Sequence, residues 1–150
     1  MSFSDDIAKF VEKAKGNGDK LVRTTVLNIG TRLVERIPVG DAKHWKHPEL
    51  KPPGYVGGHA RANWSHSEGA LRTKEFKAID GSPAETNIST QRILRTLKRK
   101  AAGKVHFIQN SVPYIQALED GHSRQAPHGM VAITKVEFQG IVNAIARGLK

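Results

Sequence analysis

The fold is decided by one stretch of sequence, Asn110-Ser111-Val112-Pro113-Tyr114-Ile115-Gln116-Ala117-Leu118-Glu119-Asp120-Gly121-His122-Ser123-Arg124-Gln125-Ala126-Pro127-His128-Gly129-Met130. Pro113 fits the first position of a short helix, where its missing N–H costs nothing. Gly121 fits just past the end of that helix, where the backbone needs a positive φ. A polar loop stiffened by Pro127 follows. This pivot segment, residues 110–130, contains no catalytic motif and is predicted to be a helix–loop unit that contacts a partner.

Two amphipathic helices are predicted near the N-terminus. Apolar residues recur at helical spacing over residues 3–14, and the glycine-containing run 16–18 ends this first helix. Asp19 caps the second helix, whose apolar stripe covers residues 22–37 until Pro38 stops it. Because the connection is short, we expect an antiparallel helical hairpin.

Strands are predicted at residues 59–71, 76–79, 105–109 and 130–133, with a turn at 80–83. The predicted fold class is therefore α+β in a single domain over residues 1–150. A small, mainly antiparallel sheet packs against the N-terminal helical hairpin, a basic middle helix and a C-terminal helix.

The two later helices have recognisable boundaries in the sequence. Ser89 or Thr90 caps the basic middle helix, and Gly103 closes it. Thr134 and Glu137 fit a capping box for the C-terminal helix. We therefore expect this last helix to begin near Thr134.

The segment between the second helix and the first strand is a long Pro/Gly-rich loop at residues 39–58. Loops of this length in a compact domain are usually functional or disordered. Two interpretations stay open: an arm that lies over a neighbouring subunit, and a mobile surface loop.

The pivot segment, read as Asn-x-x-Pro-Tyr-Ile-x-x-Leu-Glu-x-Gly-x-Ser-x-Gln-Ala-Pro-x-Gly-Met, resembles the tail-completion or head–tail joining (neck) proteins of tailed phages, the minor tail protein Z-like group. Two further pieces agree in order and spacing, Arg36-Ile37-Pro38-Val39-Gly40-Asp41 and Arg61-Ala62-Asn63-Trp64. Members of the group usually carry a Thr-Gly pair soon after the proline, whereas this chain has Gly40-Asp41-Ala42 and then its long loop.

The resemblance implies a structural virion protein that is assembled in the bacterial cytoplasm and forms a ring at the head–tail junction or completes the top of the tail. The implied partners are further copies of the chain, as a hexamer or dodecamer, and head-completion, tail-terminator or tail-tube proteins. DNA passing through the ring is a further implied contact. No cofactor and no membrane are expected.

The amino-acid composition limits the classes of protein to which this chain could belong. The chain has 150 residues, 24 Lys and Arg against 14 Asp and Glu, and no cysteine, so disulfides and thiolate metal sites are excluded. It carries no apolar run long enough for a membrane span and no signal-peptide pattern, so we expect folding in a reducing cytosol. A formal charge of +10 suits an acidic partner.

Much of the positive charge lies in residues 92–104. At helical spacing these residues predict a basic face, formed by Arg92, Arg95, Lys98, Arg99 and Lys100. Such a face binds either phosphates or an acidic neighbouring subunit. A small basic nucleic-acid-binding protein is therefore the alternative function.

Metal and enzyme interpretations have weaker support. His44 and His47 form an H-x-x-H pair near His59 and His66, but they lie in a loop and on a predicted strand, without a compact set of ligands. Two pairs could meet in space, Glu119 with His122 and His106 with His128, yet no nucleophile motif accompanies them. We therefore expect no catalytic, cofactor or metal site.

The sequence instead predicts an interface. We assign Trp64, Pro113 and Tyr114 to the framework of the fold. Substituting Gly121 by valine is expected to misdirect the pivot loop while the domain stays folded. The predicted subunit or partner contact is formed by Glu119, Asp120, Gly121, His122, Arg124 and Gln125.

Overall fold

A computed structural model of the chain describes residues 2–45, 47–81 and 88–149. Its helices are α1 (Phe3–Arg36), α2 (Ile88–Thr96), α3 (Ile115–Glu119) and α4 (Val131–Gly148), and its strands are β1 (Trp64–Glu68) and β2 (His106–Asn110). Short 3-10 turns cover Ala42–His44, Pro48–Leu50 and Arg61–Asn63. The α+β class predicted from the sequence is confirmed.

The two strands pair antiparallel, with Trp64 opposite Asn110 and Glu68 opposite His106. The predicted strand at 59–71 is therefore shorter than expected, and the one at 76–79 is wrong. The amide of Asn63 explains the second error, because it accepts from Phe76 N at 2.6 Å and donates to Phe76 O at 3.1 Å. One side chain thus satisfies the backbone groups that a strand partner would otherwise satisfy. The predicted turn at 80–83 lies partly outside the described residues.

The predicted N-terminal hairpin is wrong, because α1 is a single helix of 34 residues that runs through the glycines at 16 and 18. Asp19 is not a cap. Its carboxylate accepts from the N–H groups of Ala101 and Ala102, at 2.8 and 2.9 Å. This contact holds the helix where the two glycines weaken it by about 1 kcal/mol each.

The core lies between the second half of α1, the sheet and α2. Gly30 lets Ile93 approach α1, since an added Cβ there would lie 2.7 Å from Ile93 Cδ1. Trp64 is 3% exposed, which confirms it as framework. The apolar cluster includes Val26, Leu33, Val34, Ile37, Trp64, Ile93, Leu97, Val112 and Met130.

α4 begins at Val131, not near Thr134, so the predicted strand at 130–133 and the predicted capping box are both wrong. Thr134 Oγ1 donates back to Met130 O at 2.8 Å from within the helix. Glu137 instead accepts from Arg36 Nη2, at 2.7 and 2.8 Å, and from Arg32 Nη1 at 2.8 Å. Its role is to join α4 to α1. None of the helices described is long and apolar enough to cross a membrane.

Candidate functional site

The loop at 39–58 and the pivot segment meet across a cavity of about 460 Å³. These are the two regions that the sequence singles out as contact regions, although they lie far apart along the chain. Most of the lining is aromatic or polar. The lining residues are Pro38, Gly40, Asp41, His44, Trp45, Tyr55, Gly58, His59, Ala60, Tyr114, Leu118, His122, Ser123 and Gln125.

Two glycines let the chain pack closely in the loop wall of the cavity. An added Cβ at Gly57 would lie against Gly40 O, and one at Gly40 would lie against the Tyr55 hydroxyl. In the same wall the rings of Trp45 and Tyr55 meet edge to face, with centroids 4.8 Å apart. The loop is thus shaped by glycine contacts and one aromatic pair. The two interpretations of the loop, an arm over a neighbouring subunit and a mobile surface loop, both stay predictions.

The opposite wall comes from α3 and the turn that follows it. Pro113 precedes α3 instead of occupying its first position, because the helix begins at Ile115. Tyr114 is 45% exposed and lines the cavity, so its assignment to the buried framework is wrong. Burial raises the pKa of the Tyr114 hydroxyl, and the nearby Tyr55 adds to the effect. The two tyrosines therefore face one cavity from opposite walls.

Gly121 turns the chain after α3 with φ of +81°, as the sequence predicts. An added Cβ there would lie against Pro127 O. This close approach of two backbone segments folds the polar loop back on itself. Gln125 then reaches the other wall, where its Nε2 donates to Val39 O at 3.5 Å.

Glu119 has a role that the sequence does not reveal. Its Oε2 accepts from the N–H groups of Met130 and Val131, at 2.8 and 2.9 Å, and its Oε1 accepts from Ala132 N–H at 2.8 Å. The carboxylate therefore caps the N-terminus of α4, where unsatisfied N–H groups and the helix dipole favour an anion. The assignment of this residue to a partner contact stays a prediction, and the described contacts of its carboxylate are with these three N–H groups and not with His122.

The other predicted interface residues remain at the surface. His122 and Gln125 line the cavity, and Arg124 is exposed beside them. Asp120 is exposed just after α3 and accepts from Gln116 Nε2 at 2.9 Å.

The predicted basic face is not a continuous row. α2 ends at Thr96, so Lys98, Arg99 and Lys100 lie beyond it. Arg92 points inward, with Nη1 donating to Ala62 O at 2.7 Å and with its guanidinium 3.6 Å from the centre of the Phe76 ring.

An acid from β1 also neutralises part of this surface. Glu68 accepts from Lys104 at 2.8 Å and lies 3.6 Å from Lys98 Nζ. Of the predicted face, Arg95, Arg99 and Lys100 are the exposed cations whose described contacts include no acidic partner.

A buried histidine, His66, pairs with the half-buried His106, and the sequence does not predict this pair. His66 Nε2 lies 3.0 Å from His106 Nδ1, and His66 Nδ1 lies 3.0 Å from Thr96 Oγ1. His106 Nε2 donates to Ala101 O at 2.8 Å, so both ring nitrogens of His106 are used within this cluster and not toward His128. Burial, and then repulsion by His106, lower the pKa of His66. The pair links both strands to the end of α2.

The remaining histidines are paired or dispersed. His59 Nε2 lies 2.8 Å from Glu75 Oε1, and this hydrogen bond is the main reason that the pKa of His59 is raised. His47 Nδ1 lies 2.9 Å from Glu49 Oε1. Within the described ranges no group of three or more His, Asp or Glu side chains could hold a metal ion.

The chain matches no family model, no curated protein and no solved structure. Its function is therefore inferred from its own residues and geometry. The cavity offers aromatic rings, one carboxylate and several hydrogen-bonding side chains, a combination suited to binding.

Proposed function

We propose that this chain is a structural component of a tailed-phage particle, where it forms a ring at the head–tail junction or completes the top of the tail. The resemblance of the pivot segment to the tail-completion and head–tail joining proteins of tailed phages supports this role. Its neighbours would be copies of itself and head-completion, tail-terminator or tail-tube proteins, met during assembly in the bacterial cytoplasm. The observation that carries the proposal is the first part of α1, residues 3–16, which we call the α1 arm.

The α1 arm extends away from the body of the domain. Residues 2–16 are all exposed, and the buried residues of the helix begin at Thr25. With a rise of about 1.5 Å per residue, the arm is roughly 20 Å long. A helix that reaches this far beyond its own core is suited to contact another molecule.

The arm also carries an apolar stripe. Phe3 is 82% exposed, Phe10 is 70% exposed and Ile7 is 47% exposed. Contiguous exposed apolar side chains of this size mark interaction surfaces in proteins. They favour a role in assembly over a role as an isolated monomer.

A second apolar surface lies elsewhere on the same chain. Ile29, Leu33, Val131 and Phe138 line a groove between α1 and α4, where Val131 is 46% exposed and Phe138 is 45% exposed. A protruding arm and a separate groove differ in shape, so contact between them would be head to tail. Repetition of a head-to-tail contact closes into a ring when the rotation between copies permits it.

The test compares two lysine substitutions in the arm. Phe10→Lys adds a charge to the apolar stripe, and Glu12→Lys adds the same side chain on the opposite face of the helix. We expect Phe10→Lys to remain folded by circular dichroism, yet to fail to restore infectious particles to a phage that lacks this protein. Glu12→Lys should restore them. Normal particles from Phe10→Lys would refute the assembly role of the arm.

Nucleic-acid binding is the second candidate function. It is favoured by the formal charge of +10 and by the exposed Arg95, Arg99 and Lys100. Replacing these three residues by glutamine would weaken DNA binding and reduce its salt dependence, because each phosphate contact releases counterions. If the variant binds DNA as the unaltered chain does, this candidate is excluded at that surface.

A further inference from the structure

We propose that the cavity between the 39–58 loop and the pivot segment binds the guanidinium group of an arginine side chain presented by another protein. Trp45 and Tyr55 line it from the loop, and Tyr114 lines it from the other wall. Tyr114 is 45% exposed, so part of its surface is open to a ligand. Cations are attracted to the faces of such rings, and tryptophan and tyrosine are the stronger partners.

The charges around the cavity favour a cation. Among the described lining residues Asp41 is the one acidic side chain, and none is lysine or arginine. This is unusual in a chain with 24 Lys and Arg. A phosphate site would be expected to contain those residues, because charge-assisted hydrogen bonds hold the anion. The charge of His59, when protonated, is offset by Glu75 at 2.8 Å.

The hydrogen-bonding groups favour a guanidinium over an ammonium. A guanidinium is planar, so it stacks on a ring while its N–H groups reach acceptors at the edge. Asp41 is exposed at the rim, and its Oδ1 already accepts from Lys43 N at 3.0 Å, which fixes the carboxylate. Gln125 directs its Nε2 at Val39 O, so its amide oxygen is the atom that it can offer to a ligand.

This binding site goes beyond the role in a phage particle and does not depend on it. The site recognises a side chain, whereas the α1 arm contributes an apolar surface elsewhere on the chain. The two proposals can therefore fail separately, and the following experiment uses only the purified protein.

The test is a titration with N-acetyl-arginine methylamide, followed by backbone amide NMR shifts. We expect weak, saturable binding whose shifts centre on the cavity, and weaker binding of the matching lysine probe. Tyr114→Leu and Asp41→Asn should each reduce the affinity by about threefold or more, as expected for loss of one aromatic or one charged contact. Tyr114→Phe should retain most of the affinity, because it keeps the ring.

The matched control is Phe138→Leu, since Phe138 is also 45% exposed but lines the groove between α1 and α4. It should leave the affinity unchanged. Saturable binding that is unaffected by both Tyr114→Leu and Asp41→Asn would overturn the site, and so would an absence of cavity shifts. Equal binding of the lysine probe would overturn the guanidinium assignment. Stronger binding of adenosine monophosphate or inorganic phosphate would overturn the cationic ligand class.

Discussion

Glu119 Oε2 lies 2.8 Å from the backbone nitrogen of Met130, eleven residues later in the chain. Through this bond and its neighbours, the last residue of α3 caps the first turn of α4. One carboxylate thus joins the two ends of residues 119–130, the second half of the pivot segment. Its loop is positioned by the fold itself and not by a partner.

Glu119→Ala should therefore lower the stability of the isolated domain. Loss of a helix cap costs about 0.5–2 kcal/mol of folding stability. Hydrogen bonds to a charged group are among the stronger ones, so we expect the unfolding free energy to fall by about 2 kcal/mol. Glu119→Lys should cost more, because it places a cation at the positive end of the helix dipole. Urea unfolding monitored by circular dichroism measures both. Asp120→Ala, on an exposed neighbour, is the control and should change stability by less than about 0.5 kcal/mol.

Gly121→Ala should destabilise the domain more than Gly103→Ala does. Both glycines have positive φ, +81° and +75°, so both substitutions carry the strain of a left-handed residue. Only the Cβ at 121 would also lie against a backbone atom, Pro127 O, while nothing lies within 4 Å of the Cβ at 103. Each variant loses unfolding free energy relative to the unaltered chain, and the difference between the two losses measures the clash with Pro127 O. Equal losses would contradict the close approach of Pro127.

This geometry also changes the expectation for Gly121→Val. The sequence predicts a folded domain with a misdirected loop. The contact with Pro127 O implies instead a loss of stability beyond the left-handed strain, and failed assembly by this variant would not by itself identify an interface.

The His66–His106 pair should make the domain less stable as the pH falls through about 6.5, the usual pKa of histidine. The pKa of His66 is lowered in the folded state, so the unfolded chain binds this proton more readily. The free energy of unfolding therefore decreases as the pH decreases. His66→Gln should therefore lose less stability than the unaltered chain between about pH 8 and pH 5.5. Denaturant unfolding at both values tests this, and an unchanged pH slope would contradict it.

His59 provides a control of opposite sign. Its pKa is raised by Glu75, so its stabilising contribution is present below the unfolded pKa and is lost as the pH rises through the folded value. His59→Gln should consequently reduce stability more at about pH 5.5 than at pH 8. Slopes of the same sign for both variants would show that other groups dominate the pH dependence.

Glu137→Gln should lower the melting temperature at neutral pH but have little effect in acid. Arg36, and then Arg32, lower the pKa of Glu137, so its contribution is present above the unfolded pKa and is lost as the pH falls through the folded value. Calorimetry at pH 7 and at about pH 3 makes the comparison. Arg36→Lys keeps the charge but loses the planar guanidinium, so its melting temperature at pH 7 should lie between those of the unaltered chain and Glu137→Gln. An equal effect of Glu137→Gln at both pH values would argue for a packing role.

The elements that the sequence predicts well are those specified by neighbouring residues. Apolar periodicity identifies the helical character of α4, and the residue type at Gly121 identifies the turn after α3. The positions of the two strands, residues 64–68 and 106–110, likewise agree with the strand-like runs at 59–71 and 105–109, although the sequence does not predict that these two pair. In each case local chemistry and the final fold agree.

The errors occur where a distant group supplies the decisive contact. α1 continues past its glycines because residues 101–102 bind Asp19, and α4 begins early because Glu119 caps it. Arg92 turns inward to reach carbonyl groups about thirty residues away. The cavity depends in the same way on two separated segments, so its aromatic residues could be noticed in the sequence but not placed together.

The α1 arm has a consequence for the thermodynamics of any association. Isolated helices of about 12–15 residues are marginal in water, and the arm is stabilised mainly by its local bonds, including the Ser2–Asp5 capping box. The rest of α1 supplies the helical nucleus, so the arm loses helix only by fraying from its N-terminal end, and binding energy is spent on suppressing that fraying. Gly16→Ala adds a Cβ that meets nothing within 4 Å and favours the helix by up to about 1 kcal/mol. Affinity for a partner can thus be tuned by preorganisation, from a position on the face of the arm opposite its apolar stripe.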